Sequence, residues 1–293
     1  MDITKLLTPT QKLFEAIEVY KVDMNLKPPG EHFASNIKIM DFKFNKAHLI
    51  ERLREAIIRW VFSRSETERI FNEAYGADGD HGTASTALYT SARETIRVSA
   101  PQGQFGELLL SAFLQHLFHA APLLRKQPVR TSDNHERFGA DAIHVSTGTP
   151  YKIFLGESKC YKSSYTFNAA FQASLESICG TIENFEQEIK KFRTGDFIED
   201  ELKGLAGSIL KNEVIDLEIH PVCIIIYNET QKLTGIGSKA RQEEIKKAIL
   251  ARCKNVPGDV FTDIDESALD RFIYIIFPVW ELEKLLDEFV QAL

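Results

Sequence analysis

An α/β fold, with strands and helices following one another along a single chain, is predicted by three observations. Residues 139–159 read GADAIHVSTGTPYKIFLGESK, where two β-prone runs, Asp141 to Val145 and Tyr151 to Ser158, flank the turn-rich Ser146-Thr-Gly-Thr-Pro150. That is a hairpin with a longer loop. Val222 to Tyr227 is a continuous apolar run and Phe272 to Phe277 another strand-like run, and an unbroken apolar run marks a strand buried on both faces. Between hairpin and runs, Phe167, Phe171, Leu175, Ile178, Ile182, Phe185, Ile189 and Phe192 recur every three or four residues, the seam of one long amphipathic helix.

The 293 residues suit one large domain or two modest ones. With 44% hydrophobic and 26% charged residues the chain has the composition of a soluble globular protein. A net charge of -7 excludes a generally basic nucleic-acid coat. Contact with DNA then needs a local basic patch or a partner that supplies the DNA. Cys160, Cys179, Cys223 and Cys253 form no C-x-x-C, so free thiols in a reducing cytosol are expected rather than structural zinc. Met1 to Leu7 carries no signal-peptide core, and no apolar stretch approaches the roughly 20 residues that span a bilayer. A cytoplasmic protein without membrane contact is expected.

In chain order, Leu26-Lys-Pro-Pro-Gly30 is a break and Asp41-Phe-Lys-Phe44 a short strand. Leu49, Leu53, Ile57 and Val61 place a helix over Asn45 to Phe62. Ser65-Glu-Thr-Glu68 reads as a capping box opening a helix to Tyr75. Gly76 to Gly82 is a polar turn, too short for a calcium loop and without its distal Glu. Another helix runs from Thr83 to Val98. Residues 1–99 thus form a mainly helical region with no identifiable chemistry, a surface on which a partner could dock. Ala100-Pro-Gln-Gly-Gln104 is the boundary to a second unit, 100–293. It opens with a very apolar helix, Phe105 to Phe118. Glu107 near its N-terminus is favoured there by the helix dipole, and His116 and His119, three apart, read as partly buried structural residues. Arg125, Lys126 and Arg130, then Asn134, His135 and Arg137, are either phosphate contacts or solvated side chains. After the long helix, whose Lys190, Lys191 and Arg193 suit its C-terminal dipole, Gly195 to Asn212 reads as loop with a little helix. Ser238 to Cys253 and Trp280 to Leu293 are helices.

The hairpin carries the chemistry. Residues two apart on a strand share a face, so Ile153, Leu155, Glu157 and Lys159 point the same way. Ionised groups at the end of an apolar face need a partner, a metal or water, and a pleated hairpin brings Asp141 beside Glu157. Two carboxylates hold hard cations such as Mg²⁺. The cation activates water and stabilises charge at phosphorus, and a Lys adds fixed positive charge beside a reacting phosphate.

Asp141 followed by Glu157-Ser158-Lys159 resembles the PD-(D/E)xK nuclease superfamily. Within it, Arg137-Phe-Gly-Ala-Asp-Ala-Ile143, Gly156-Glu-Ser-Lys159 and Tyr161-Lys-Ser-Ser-Tyr165 together are similar to the HamA family of the Hachiman anti-phage system. The resemblance implies a restriction-endonuclease-like core, a mixed central sheet flanked by helices, and a DNA nuclease dependent on Mg²⁺ or Mn²⁺. Asp141, Glu157 and Lys159 are then catalytic. Asp141 and Glu157 would hold the metal with Glu107 from the preceding helix, and Gln172 on the following helix is a further candidate. Arg125, Lys126, Arg130 and Lys162 would contact DNA, and a HamB-type helicase subunit would be the partner. Two other readings stay open: an autonomous restriction or repair endonuclease, and a non-catalytic adaptor in which Glu157 and Lys159 form a structural ion pair.

Overall fold

The computed structural model describes residues 3–96, 101–125, 139–163, 167–185, 198–211, 213 and 216–293. Its centre is a seven-stranded sheet built from β1 (Ile17–Asp23), β2 (Glu31–Ile37), β5 (Ala121–Leu124), β6 (Ala142–Ser146), β7 (Tyr151–Tyr161), β8 (Leu217–Asn228) and β9 (Ile273–Val279), in the order β1-β2-β9-β8-β7-β6-β5. A separate two-residue hairpin pairs β3 (Ile39–Met40) with β4 (Lys43–Phe44). Strands β2, β9, β8 and β7 run parallel, while β1 and the pair β6 and β5 are antiparallel additions at either side. The sheet is therefore mixed, as expected.

Both faces are covered. Val222, Ile224 and Ile226 of β8 pack with α2 (Lys46–Val61), α4 (His81–Glu94), α5 (Pro101–Phe118) and the C-terminal α10 (Leu282–Ala292). Cys223, Ile225 and Tyr227 pack with α6 (Phe167–Glu183) and α8 (Ser238–Lys254). That is why the β8 run shows no polar alternation, each fully buried Ile or Val contributing about 1.5–3 kcal/mol. Three shorter helices, α1 (Gln11–Phe14), α7 (Lys203–Leu210) and α9 (Glu266–Leu269), fill connections, α7 being the little helix expected in residues 195–212.

The N-terminal region carries strands as well as the expected helices. Besides α2, α3 (Arg64–Asp78) and α4 it supplies β1 and β2, which extend the same sheet as the hairpin. The expected boundary at residues 100–104 lies in the first turn of α5. Ser63, not Ser65, caps α3, its Oγ accepting from the Glu66 N–H at 3.2 Å. The Ser-x-x-Glu pattern is thus read two residues earlier, and the backbone N–H that needs a partner selects between the two serines. The polar turn shrinks to Gly79, left-handed at φ 65, and Asp80, which caps α4.

Candidate active site

Strand β7 carries the site because two glycines let α5 lie close upon it. A Cβ on Gly106 would stand 2.1 Å from Ser158 Oγ, and one on Gly156 would stand 2.8 Å from Leu110 Cδ2. Residues with Gly156 and Ser158 parity face α5. Glu157 and Lys159 therefore face the opposite side, toward α6, with Glu157 level with Cys223 and Lys159 with Ile225 on β8.

Pairing of β6 with β7 begins at Ala142 opposite Gly156. One residue earlier, the Asp141 N–H donates to Gly156 O at 2.8 Å, and the Asp141 carboxylate Oδ2 accepts from the Ser158 N–H at 2.8 Å. Asp141 thereby stands across from Glu157 where the ladder ends. Glu157 is 3% exposed. Its Oε1 lies 2.8 Å from Lys159 Nζ, and its buried Oε2 has no hydrogen-bond partner. Burial, then the neighbouring Asp141 charge, push the Glu157 carboxyl up to about 7, against the opposing pull of Lys159 and of Ser177 on α6. The Ser177 hydroxyl faces the carboxylate without completing a hydrogen bond to Oε2. Burial works against the Lys159 charge, but Glu157 and Asp141 outweigh it and hold the amine above its ordinary pKa.

The three residues expected from the hairpin are therefore brought together, while two other candidates stand elsewhere. Gln172 on α6 is exposed and donates to Glu176 at 2.8 Å. The helix turns Ser174 and Ser177 toward the sheet instead, and Ser177, which the sequence reading passed over, is the residue that meets the acid. Arg125 is 6% exposed and its guanidinium is held by Glu199 at 2.6 Å, so it presents no free charge to a phosphate. Lys162 is at the surface, 3.0 Å from the exposed Glu283, a pair too well solvated to hold it from another anion. Lys126, Arg130, Asn134, His135, Arg137, Lys190, Lys191 and Arg193 lie outside the described residues. Glu107 stands in the first turns of α5, and among the described residues no three His, Cys, Asp or Glu side chains converge as a cation site. His116 stacks on Phe14, ring centroids 3.7 Å apart, as a structural residue. A cavity of about 320 Å³ between the N-terminal segment, α2 and α5, lined by Lys12, Arg52, Trp60 and Gln115 among others, contains none of the acidic pair.

The family model for HamA matches residues 13–293. The chain belongs to the HamA family. Membership covers β1 and β2 as well as the hairpin, so the N-terminal strands are part of the family's unit. It implies a subunit of the Hachiman defence system. No curated protein matches the chain. Among the described residues no helix is long and apolar enough to cross a membrane.

Proposed function

We propose that this HamA-family chain is a metal-dependent DNA nuclease of the PD-(D/E)xK type, the effector of its defence system, controlled by a helicase partner. One observation carries the reading: a buried Glu157 with one oxygen on Lys159 and the other without a partner, facing Asp141 at the end of a strand ladder. An unsatisfied buried carboxylate oxygen is costly unless something fills it. The donor set, two carboxylates, suits a hard divalent cation such as Mg²⁺ or Mn²⁺, with Asp141 and Glu157 as the holding residues. When bound, such a cation supplies a nucleophilic water at neutral pH and charge neutralisation at phosphorus. Lys159 keeps its proton in this setting and is placed to neutralise a phosphate oxygen as charge builds there. Ser177 orients the Glu157 carboxylate from the helix side.

Helicase control is supported by charge. The chain is net -7, Arg125 is spent on Glu199, and DNA affinity rises with the number of phosphates neutralised. A chain of net negative charge is a weak anchor for DNA by itself. The test is cleavage of plasmid DNA at ~150 mM salt, where phosphate contacts are strongly screened, with and without the helicase subunit and with Mg²⁺, Mn²⁺, Ca²⁺ or chelator. Cleavage in Mg²⁺ or Mn²⁺ with the helicase, lost in chelator, in Ca²⁺ and in a Glu157→Ala, Lys159→Ala double variant, is expected. Undiminished cleavage by the double variant or in chelator would exclude the site. Rapid cleavage by the chain alone would favour an autonomous endonuclease.

A further inference from the structure

Four large hydrophobic side chains stand exposed among the described residues: Met40 at 59%, Phe42 at 61%, Tyr75 at 37% and Ile236 at 93%. Three of them lie at one place, gathered by one arginine. Arg241, at the start of α8, donates through Nη1 to the Phe42 carbonyl and through Nε to the Gly235 carbonyl at 3.0 Å. Its guanidinium carbon lies 5.7 Å from the centroid of the Phe42 ring. The β3–β4 tip, with Met40 and Phe42, is thereby fastened to the loop that carries Ile236.

The backbone at this tip is unusual. Asp41 and Phe42 form the two-residue turn between Met40 and Lys43, and both have positive φ, 46 and 63. Such turns favour Asn, Asp and Gly, and Gly above all at the second position. A bulky aromatic there carries left-handed strain of order 1–3 kcal/mol. Burial recovers little of it, since the ring is 61% exposed and meets mainly Arg241. A strained aromatic left largely in water points to a use outside the fold.

We propose that Phe42, with Met40 and Ile236 around it and Arg241 behind it, is the anchor by which this chain docks on a protein partner that offers an apolar pocket with an acidic rim. The proposal rests on the partner-controlled reading above, in which that partner is the helicase subunit. Aromatic, Met and Arg side chains are enriched where protein interfaces concentrate their affinity, and a contiguous exposed apolar patch marks such a surface. Lys43 beside the ring and Lys239 beside Arg241 are both exposed, and with Arg241 they outweigh the single carboxylate of Asp41, which sets the sign of the partner's rim. Nucleic acid is the weaker fit. Asp41 puts an exposed carboxylate at the apex, and Arg241 turns its Nε and one Nη1 donor to two backbone carbonyls.

The experiment measures affinity of the full chain for the purified helicase subunit, and separately for a DNA duplex, in wild type, Phe42→Gly, and a Phe42→Gly, Met40→Ser, Ile236→Ser triple variant. Phe42→Gly should lower helicase affinity about 30-fold while leaving the melting temperature unchanged or raised, because Gly accepts the left-handed backbone. The triple variant should lower affinity further. Wild-type helicase affinity in the triple variant overturns the proposal. So does a loss of DNA affinity with helicase binding intact, which would make the tip a nucleic-acid contact. Glu157→Ala separates the two readings. If it still cleaves while the tip variants fail to bind, the nuclease assignment falls and the docking surface stands. If the wild-type chain binds no helicase, partner and docking surface fall together.

Discussion

Two short ion pairs in this protein each hold a buried carboxylate and differ in what they leave open. Arg125 and Glu199 are 5% and 1% exposed at the side chain. Glu199 Oε1 accepts from Arg125 Nε and Nη2, and Oε2 accepts from the Arg64 N–H at 3.1 Å. Arg125 Nη1 donates to the Arg59 and Trp60 carbonyls at the end of α2. Both carboxylate oxygens are taken, and the pair ties β5 to the end of α2 and the start of α3. Glu157 and Lys159 are also a short pair, at 2.8 Å, but Glu157 Oε2 has no partner and a second acid faces it. A pair built for structure satisfies its atoms. A pair that keeps a buried oxygen open and a like charge nearby carries the strain expected of a binding or catalytic site. This difference argues against reading Glu157 and Lys159 as a mere adaptor's ion pair.

Four measurements test whether the two pairs differ as described. The largest effect belongs to the closed pair. Arg125→Ala strands a buried carboxylate and should cost about 3–5 kcal/mol of stability, read as a loss in chemical denaturation. A loss below about 1 kcal/mol, the value of a surface pair, would remove the contrast. Next, Lys159→Ala should slow DNA cleavage by the helicase-bound chain about 10²–10³-fold, the scale for deleting one charge-stabilising donor. Its unfolding midpoint at pH 6 should move little, because the Glu157 carboxyl, already raised to about 7, stays neutral there without its partner.

Third, cation binding should depend on pH in a stated direction. A Glu157 carboxyl raised to about 7 keeps its proton at pH 5.5, and that proton competes with a cation. Mg²⁺ at about 100 times its Kd should stabilise the chain by about 2.7 kcal/mol at pH 8, and by much less at pH 5.5. Calorimetry with and without Mg²⁺ at the two pH values checks this, and a shift independent of pH would dissociate Glu157 from the cation.

The smallest effect is on stability alone. A carboxyl whose folded pKa is raised contributes stability that is present below its unfolded pKa and lost as pH climbs through about 7. Glu157→Gln should therefore leave stability at pH 5 unchanged and raise it by about 1 kcal/mol at pH 8. A destabilised Gln variant at pH 8 would make Glu157 a structural residue after all.

The meeting of Asp141 with Glu157 was readable in the sequence because a hairpin is local. Asp141 and Glu157 are set opposite each other by a short loop and the two-residue period of a strand, both visible in a single window. Helix positions such as Leu49, Leu53 and Ile57 were readable for the same reason. What escaped depended on contacts far along the chain. Arg125 looked like any basic surface residue, because nothing nearby in sequence announces Glu199, 74 residues away. Gln172 and Ser177 differ only by which side of α6 meets the sheet, and that rotation is decided by packing of Phe171, Ser174 and Leu175. Ile17-Glu-Val-Tyr-Lys-Val22 has the mixed polarity of a half-exposed edge strand, but its place in the sheet was unreadable because β2 pairs with β9, nearly the whole chain later.

That last pairing has a consequence for the order in which the molecule is made. Phe33 and Ala34 leave the ribosome early and must wait for Ile275 and Ile276. At ~5–20 residues per second of synthesis, the interval is on the order of ten seconds or more. During it, β1 and β2 have only each other, and a lone two-stranded ribbon is marginal in water. The hairpin bearing Asp141 and Glu157 is translated while that edge is still unpaired, so the acids are made well before the sheet that buries them can close. A ribosome that stalls before β9 releases a chain with both acids and no completed sheet around them, which makes translation through β9 itself a condition for burying the pair.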